Sequence, residues 1–194
     1  VVRLGELLVK TRDLRGLLKW EQELVTAGVR EHPGGQVARG DMFRLADASR
    51  RAARCYLEAV RLDPNRPEAC YRLGRILVGL GHPEQAAAFL ERAQRVEAYV
   101  QAAKVAESAE AVDDLVRRSA ELGLSWEEYA WSGLQVRVRP EDTSLAEKLL
   151  QLKETLKGLP LQRTRPGANP AQRLDLSSYP DPELDAELIA QLGV

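Results

Sequence analysis

The residues that most often carry chemistry are few in this chain, and their spacing matches no common catalytic or metal-binding motif. His32 and His82 each precede a proline, and Cys55 and Cys70 lack the paired spacing of a metal site. The sequence contains no Gly-x-Ser-x-Gly elbow, Walker loop, His-Glu-x-x-His or Cys-x-x-Cys-His motif. We therefore predict no catalytic residue, no metal site, no cofactor and two buried free thiols.

Three other patterns have both a functional and a structural interpretation. Arg39-Gly40-Asp41 spells the cell-adhesion tripeptide, and Gly34-Gly35 could cradle an anion at a helix start. Trp20, Trp126 and Trp131 could stack on nucleic-acid bases, but Lys+Arg 28 against Asp+Glu 29 leaves no basic surplus. We interpret the glycines as packing and turn residues and the tryptophans as core residues, and we expect no nucleic-acid partner.

An internal repeat reveals the elements that must position these residues. Shifting the segment that begins at Pro33 by 34 residues places it on the segment that begins at Pro67. Identical residues then pair at five positions: Pro33 with Pro67, Gly40 with Gly74, Ala52 with Ala86, Ala59 with Ala93 and Arg61 with Arg95. Residues of similar character, such as Tyr56 and Leu90, pair at the same offset. The two segments are therefore copies of one structural unit.

Each copy has the apolar spacing of two helices joined by a turn. In the second copy the three-to-four spacing is interrupted at Gly81-His82-Pro83 and then resumes. Gly74 on the first helix and Ala86 on the second lack bulk, so the two backbones can approach closely. The pattern predicts a helical hairpin in which Gly74 and Ala86 touch.

The stretch from Cys70 to Leu77, followed by Ala86, Phe89-Leu90, Ala93 and Glu97, resembles the tetratricopeptide repeat. Arg39 stands where that repeat usually has Leu. The resemblance implies an all-α, right-handed superhelical stack of helical hairpins that serves as a protein–protein interaction scaffold. Such a scaffold would assemble a larger complex or serve adjacent domains of the same polypeptide. The alternatives are a helical-repeat RNA-binding protein and an enzyme lacking familiar motifs.

The same interpretation divides the chain into five segments. We expect a degenerate N-terminal hairpin (1–32, with a break at Arg15-Gly16), two tetratricopeptide repeats (33–100), further helices of the same type (101–139), a capping helix (140–158) and an extended Pro-rich tail (159–194) that ends in a short helix.

The resemblance also implies where a partner would bind. First helices of such hairpins line the concave side, and the positions that carry over are Val37, Asp41, Arg44, Tyr71, Arg75 and Val78, with Arg72 nearby. Arginine forks bind carboxylates through two hydrogen bonds. We therefore expect a protein or peptide partner with an acidic or carboxylate-bearing segment.

The C-terminal tail carries a second candidate binding element. A helix predicted to start at Asp181-Pro182-Glu183 would place four apolar residues on one side: Leu184, Leu188, Ile189 and Leu192. So short a helix is not stable alone in water, so it must dock. It could fill the concave groove of its own chain or bind a neighbouring subunit, and the length of the preceding linker favours the neighbour.

Only a few features of the sequence bear on its cellular compartment and source organism. No apolar run approaches the roughly 18 residues of a membrane span. An excess of Arg over Lys, with much Ala, Leu and Gly, is typical of GC-rich bacteria. The segment 174–180 resembles the part that leaves the tetratricopeptide half of large bacterial extracytoplasmic proteins with FG-GAP-like domains. The chain begins with Val1, as a processed or trimmed product would, and we expect it to be part of a larger polypeptide or hetero-complex.

Overall fold

The computed structural model describes residues 1–158, 169–174 and 179–192. In these ranges the chain forms eleven α-helices, one 3-10 helix and no β-strand, which confirms the predicted all-α fold. The helices are α1 Val2–Thr11, α2 Leu14–Glu23, α3 Ala27–Arg30, α4 Pro33–Leu45, α5 Ser49–Leu62, α6 Pro67–Gly79, α7 Pro83–Lys104, α8 Ala109–Leu122, α9 Ser125–Val138, α10 Thr143–Thr155 and α11 Ala186–Gln191, and the 3-10 helix is Pro170–Arg173.

The chain divides into two compact units. Unit 1 comprises Val1–Ala93 together with the described residues of Pro170–Val194, and unit 2 comprises the described residues of Gln94–Asn169. The C-terminal residues thus return to unit 1 after unit 2 has been completed. Among the described residues, no helix combines the length and apolar character needed to cross a bilayer.

Proline and capping residues set the helix starts. Pro33, Pro67 and Pro83 are the first residues of α4, α6 and α7, where a missing N–H removes no intrahelical bond. His32 accepts a hydrogen bond at Nδ1 from the amide of Gly34 (3.1 Å), so one histidine has a structural role as an N-cap.

Close packing at two equivalent glycines holds the repeated hairpins together. A Cβ added to Gly40 would lie 2.4 Å from the ring of Tyr56, and one added to Gly74 would lie 2.6 Å from Cγ of Leu90. The carbonyl oxygen of Ala86 is 3.3 Å from the same Gly74 position, and Ala86 is fully buried. The predicted hairpin register and the contact between Gly74 and Ala86 are confirmed.

Unit 2 contains the hairpin α8–α9, with α10 packed on α9. Leu115, Leu122 and Tyr99 form its apolar core, and the indole N–H of Trp131 donates to the Tyr99 hydroxyl (2.8 Å). Helix α9 buries polar residues along one face, namely Ser125, Glu128, Ser132 and Gln135. The helix contacts of unit 2 therefore include buried polar side chains.

Two predicted boundaries differ from the structure, and side-chain caps explain both. The first hairpin breaks at Arg12 and Asp13, because the Asp13 carboxylate accepts a hydrogen bond from the Gly16 amide (2.9 Å) and starts α2 earlier. The terminal helix begins at Ala186 and not near Asp181, because Asp185 caps it by accepting from the Leu188 amide (2.9 Å).

The C-terminal segment packs on unit 1 of its own chain. Leu188 and Leu192 are 3% and 1% exposed and belong to the unit 1 core, together with Tyr179 and Ala171. The helix thus docks on its own chain, one of the two surfaces predicted for it, and binding to a neighbouring subunit stays a prediction. Part of the predicted extended tail, residues 159–168 and 175–178, lies outside the described residues.

Candidate functional site

A cleft of about 490 Å³ opens on unit 1 beside the two repeats. It is lined by Val9, Asp41, Arg44, Ser49, Tyr71, Arg72, Arg75, Ile76 and Gly79. A smaller depression of about 230 Å³ shares Val9, Asp41 and Arg72 with this cleft and adds Val37 on α4. The two depressions therefore adjoin along the first helices of the repeats, α4 and α6.

The structure brings five of the expected partner-binding residues together in the cleft, namely Asp41, Arg44, Tyr71, Arg72 and Arg75. Arg44 and Arg75 are exposed, Tyr71 is 54% exposed, and Arg72 is half-buried. Tyr71 and Arg75 of the second repeat occupy the same positions as Val37 and Asp41 of the first repeat, which lie 34 residues earlier. The repeat therefore explains why residues of the first helices share one side.

Three of the expected residues have different surroundings. Val37 and Asp41 are each 3% exposed, so they lie beneath the surface and offer little area to a partner. Val78 is 50% exposed, but it is not among the residues that line the cleft. The sequence pattern placed these residues on one helix face without distinguishing the buried positions of that face from the exposed ones.

Asp41 forms the polar floor of the cleft. Its carboxylate accepts a hydrogen bond from the Tyr56 hydroxyl (2.7 Å) and pairs with Arg72, while Nε of Arg44 lies 3.8 Å away. Burial raises the pKa of Tyr56, although Arg44 opposes this effect, so the phenol remains a proton donor. Asp41 thus holds two arginines of the cleft in place.

The cleft carries more positive than negative charge. Its lining includes three guanidinium groups, of Arg44, Arg72 and Arg75, and one carboxylate, of Asp41. Arg72 also pairs with Glu68 (2.7 Å), and burial lowers the pKa of Arg72 while the charge of Glu6 raises it. Arg44 and Arg75 are the exposed cations of the lining, and together with the exposed Tyr71 they form a surface suited to a carboxylate-bearing chain.

The apolar residues expected in the tail lie elsewhere. Leu188 and Leu192 are buried in the unit 1 core, and Leu184 and Ile189 are partly buried against it. These four residues do not form an open surface for a partner, because the chain itself covers them. Their role in binding a partner stays a prediction.

A buried ion pair of unit 1 was not anticipated. Arg39 is 1% exposed and forms three hydrogen bonds of 2.8 to 3.0 Å with the carboxylate of Glu21. Burial by itself would lower the pKa of Arg39, but the hydrogen bonds and charge of Glu21 more than offset this, and the pKa is raised. The available signal was Arg39 at a position where the repeat usually has Leu. Gly40 and Asp41 are buried as well, so the adhesion-like tripeptide is internal.

Comparison with protein families matches residues 50–104 to a family described as tetratricopeptide repeat. The matched segment covers most of α5, all of α6 and α7 to its last residue. Residues 50–104 are therefore similar to tetratricopeptide repeats, as the sequence pattern predicted. Comparison with curated proteins and with solved structures gave no significant match.

Tetratricopeptide repeats generally mediate protein–protein interactions, and proteins of this family are typically not enzymes. The hairpin α6–α7 lies within the matched residues, and so do Tyr71, Arg72 and Arg75. Five of the nine residues that line the cleft therefore belong to the segment that carries the family match.

Proposed function

We propose that this tetratricopeptide repeat protein is an interaction scaffold whose cleft binds an acidic segment of a partner protein or of an adjacent domain. The observation that carries this proposal is the exposed pair Arg44 and Arg75 beside Tyr71, above the buried carboxylate of Asp41. The bound segment would place a carboxylate between the two guanidinium groups and an apolar side chain against the tyrosine ring.

Two physical arguments support this ligand chemistry. Asp41 anchors Arg72 and Arg44, so the cleft is ordered before binding and loses little side-chain freedom on binding. A large exposed tyrosine with flanking arginines is the composition that dominates binding energy in protein interfaces.

The proposal is tested by selecting binders from a random library of twelve-residue peptides displayed on phage. We expect peptides rich in Asp and Glu, with binding that weakens as salt concentration rises. Arg44→Glu combined with Arg75→Glu should lower the affinity of a selected peptide by about tenfold or more, measured by isothermal titration calorimetry.

A matched control makes the same charge change on unit 2. Arg137→Glu combined with Lys148→Glu alters two exposed cations on α9 and α10 and should leave the affinity within about twofold. Selection of peptides without acidic residues, or equal loss of affinity in both double variants, would reject the cleft as the binding site.

A further inference from the structure

The C-terminal segment Tyr179–Leu192 lies against unit 1 in the manner of a bound peptide. Arg51 pairs with Asp185 (2.5 Å), and Arg54 pairs with Asp181 (3.5 Å). Both arginines are on α5, the second helix of the first repeat. The segment therefore lies on a different helix face from the cleft, whose arginines belong to α4 and α6.

The main chain of the segment is recognised as well as its side chains. Arg39 donates to the carbonyl oxygen of Pro182 (2.7 Å), and Arg54 donates to that of Tyr179 (3.4 Å). Since Arg39 is held by the buried carboxylate of Glu21, its remaining N–H points at the segment in a fixed position. Contacts to carbonyl groups do not depend on side-chain identity, so this surface can hold other sequences of the same backbone shape.

Apolar side chains anchor the segment at both ends. Tyr179 is 6% exposed at its start, and Leu188 and Leu192 are 3% and 1% exposed at its end. Leu188 and Leu192 are four residues apart, so they lie on one side of α11. An isolated helix of this length is not stable, so contact with unit 1 maintains it.

Charge is complementary across the contact. The segment 179–192 contains Asp181, Glu183, Asp185 and Glu187 and no Lys or Arg, whereas the surface supplies Arg39, Arg51 and Arg54. Asp181 and Asp185 have side chains 78% and 47% exposed, so solvent screens both ion pairs. Charge therefore positions the segment, and its buried apolar side chains hold it.

The attachment also leaves one donor without an acceptor. Nε of Arg51 is buried and has no hydrogen-bond partner among the described residues. A buried N–H without a partner destabilises the contact in which it lies. A segment that offered one more acceptor at this point would bind more tightly than the chain's own tail.

We infer that the surface formed by Arg39, Arg51 and Arg54 is a second peptide-binding site, which the segment Tyr179–Leu192 occupies in the resting protein. Its external partner is a protein segment of the same chemistry: an aromatic residue, then spaced acidic residues, then two leucines four residues apart. The covalent tail acts at an effective concentration on the order of millimolar, so an external segment must displace it. This site is independent of the proposed cleft.

The test uses a fluorescent synthetic peptide with the sequence of residues 179–192 and the full chain. Leu188→Asp combined with Leu192→Asp should release the tail, and this tail-release variant should bind the peptide about tenfold more tightly or better than the unaltered chain. Adding Arg51→Glu and Arg54→Glu to the tail-release variant should remove most of that gain, as measured by fluorescence anisotropy.

Two controls distinguish binding at this site from nonspecific adhesion of the peptide and from binding in the cleft. A peptide with the same composition in scrambled order should bind neither protein. Arg44→Glu with Arg75→Glu, added to the tail-release variant, should leave peptide affinity within about twofold, because those residues belong to the cleft. Equal binding by unaltered and tail-release chains, or no binding by a tail-release chain with an intact circular dichroism spectrum, would overturn the inference.

A measurement on the unaltered chain covers the case in which the tail-release variant does not fold. Excess peptide should displace the tail, so hydrogen exchange of the backbone amides in α11 should accelerate, measured by mass spectrometry with a peptide of distinguishable mass. Exchange that stays unchanged at millimolar peptide would overturn the inference equally.

Discussion

Unit 1 carries arginines on two helix faces, and the two faces use them in opposite ways. In the cleft, Arg72 is half-buried over Asp41, and Arg44 and Arg75 remain exposed. On the tail side, Arg39 is buried against Glu21 and donates its remaining N–H groups to Gln36 and Pro182. Burial and the number of hydrogen-bond partners therefore decide whether an arginine maintains the fold or stays available to a ligand.

The largest expected effect is at Arg39. Arg39→Leu introduces the residue that the repeat usually has, but it leaves Glu21 as a buried charge without its main partner, at a cost of about 3–5 kcal/mol. The free energy of unfolding is measured by urea denaturation. Combining this substitution with Glu21→Leu should recover most of the loss, because removing both charges leaves neither uncompensated. A single variant as stable as the unaltered chain would remove the distinction between the two faces.

The next effect concerns the packing on which both faces rest. Ala86→Leu adds three carbon atoms to a fully buried side chain in the hairpin and should cost about 1–3 kcal/mol in thermal or chemical denaturation. Ala130→Leu on α9 is the matched control, because Ala130 is exposed and leucine is a good helix former. If both substitutions have the same small effect, the hairpin register is incorrect.

A smaller effect is expected at Arg72, the counterpart of Arg39 in the cleft. Arg72→Gln should cost about 1 kcal/mol, because Asp41 keeps the hydrogen bond from Tyr56 and the charge of Arg44 nearby. Urea denaturation of this variant beside Arg39→Leu gives the comparison directly. A loss as large as that of Arg39→Leu would mean that Arg72 is structural and unavailable to a ligand.

The smallest difference is expected in the thiol reactivity of the two cysteines. Cys55 lies on α5, on the tail side, and Cys70 lies on α6, beside the cleft. Burial raises the pKa of both Cys55 and Cys70 to about 12, although Arg39 opposes this at Cys55 and Arg92 at Cys70. Because the thiolate is the reactive form and a raised pKa lowers its population, both should resist a thiol reagent at pH 8. Both should react once denaturant unfolds the chain. Rapid reaction of either thiol in the native protein would show that its side of the core opens.

The cleft was largely predictable because equivalent positions of the two repeats lie on the same helix face. The 34-residue offset placed Tyr71 and Arg75 on the same helix face as Val37 and Asp41, and that face lines the two depressions. The offset could not separate buried Asp41 from exposed Arg75, which occupy equivalent positions. Neighbouring helices decide that difference, since Tyr56 and Arg72 cover Asp41.

The tail illustrates the opposite situation. Its apolar stripe was evident from the sequence, and the need for a docking surface followed from the instability of a short helix. The choice of surface did not follow, because it depends on Arg51 and Arg54, more than 120 residues earlier in the chain.

The sequence by itself determined the all-α fold, the helical hairpins, the close contact at Gly74 and the absence of familiar catalytic motifs. Each of these follows from spacing within one or two adjacent helices, where period and residue size are sufficient. The tertiary structure alone decided that Arg39 pairs with Glu21 and that the C-terminal segment returns to unit 1. Such pairings join residues that are distant in the chain, and they depend on which helix faces meet once the core has formed.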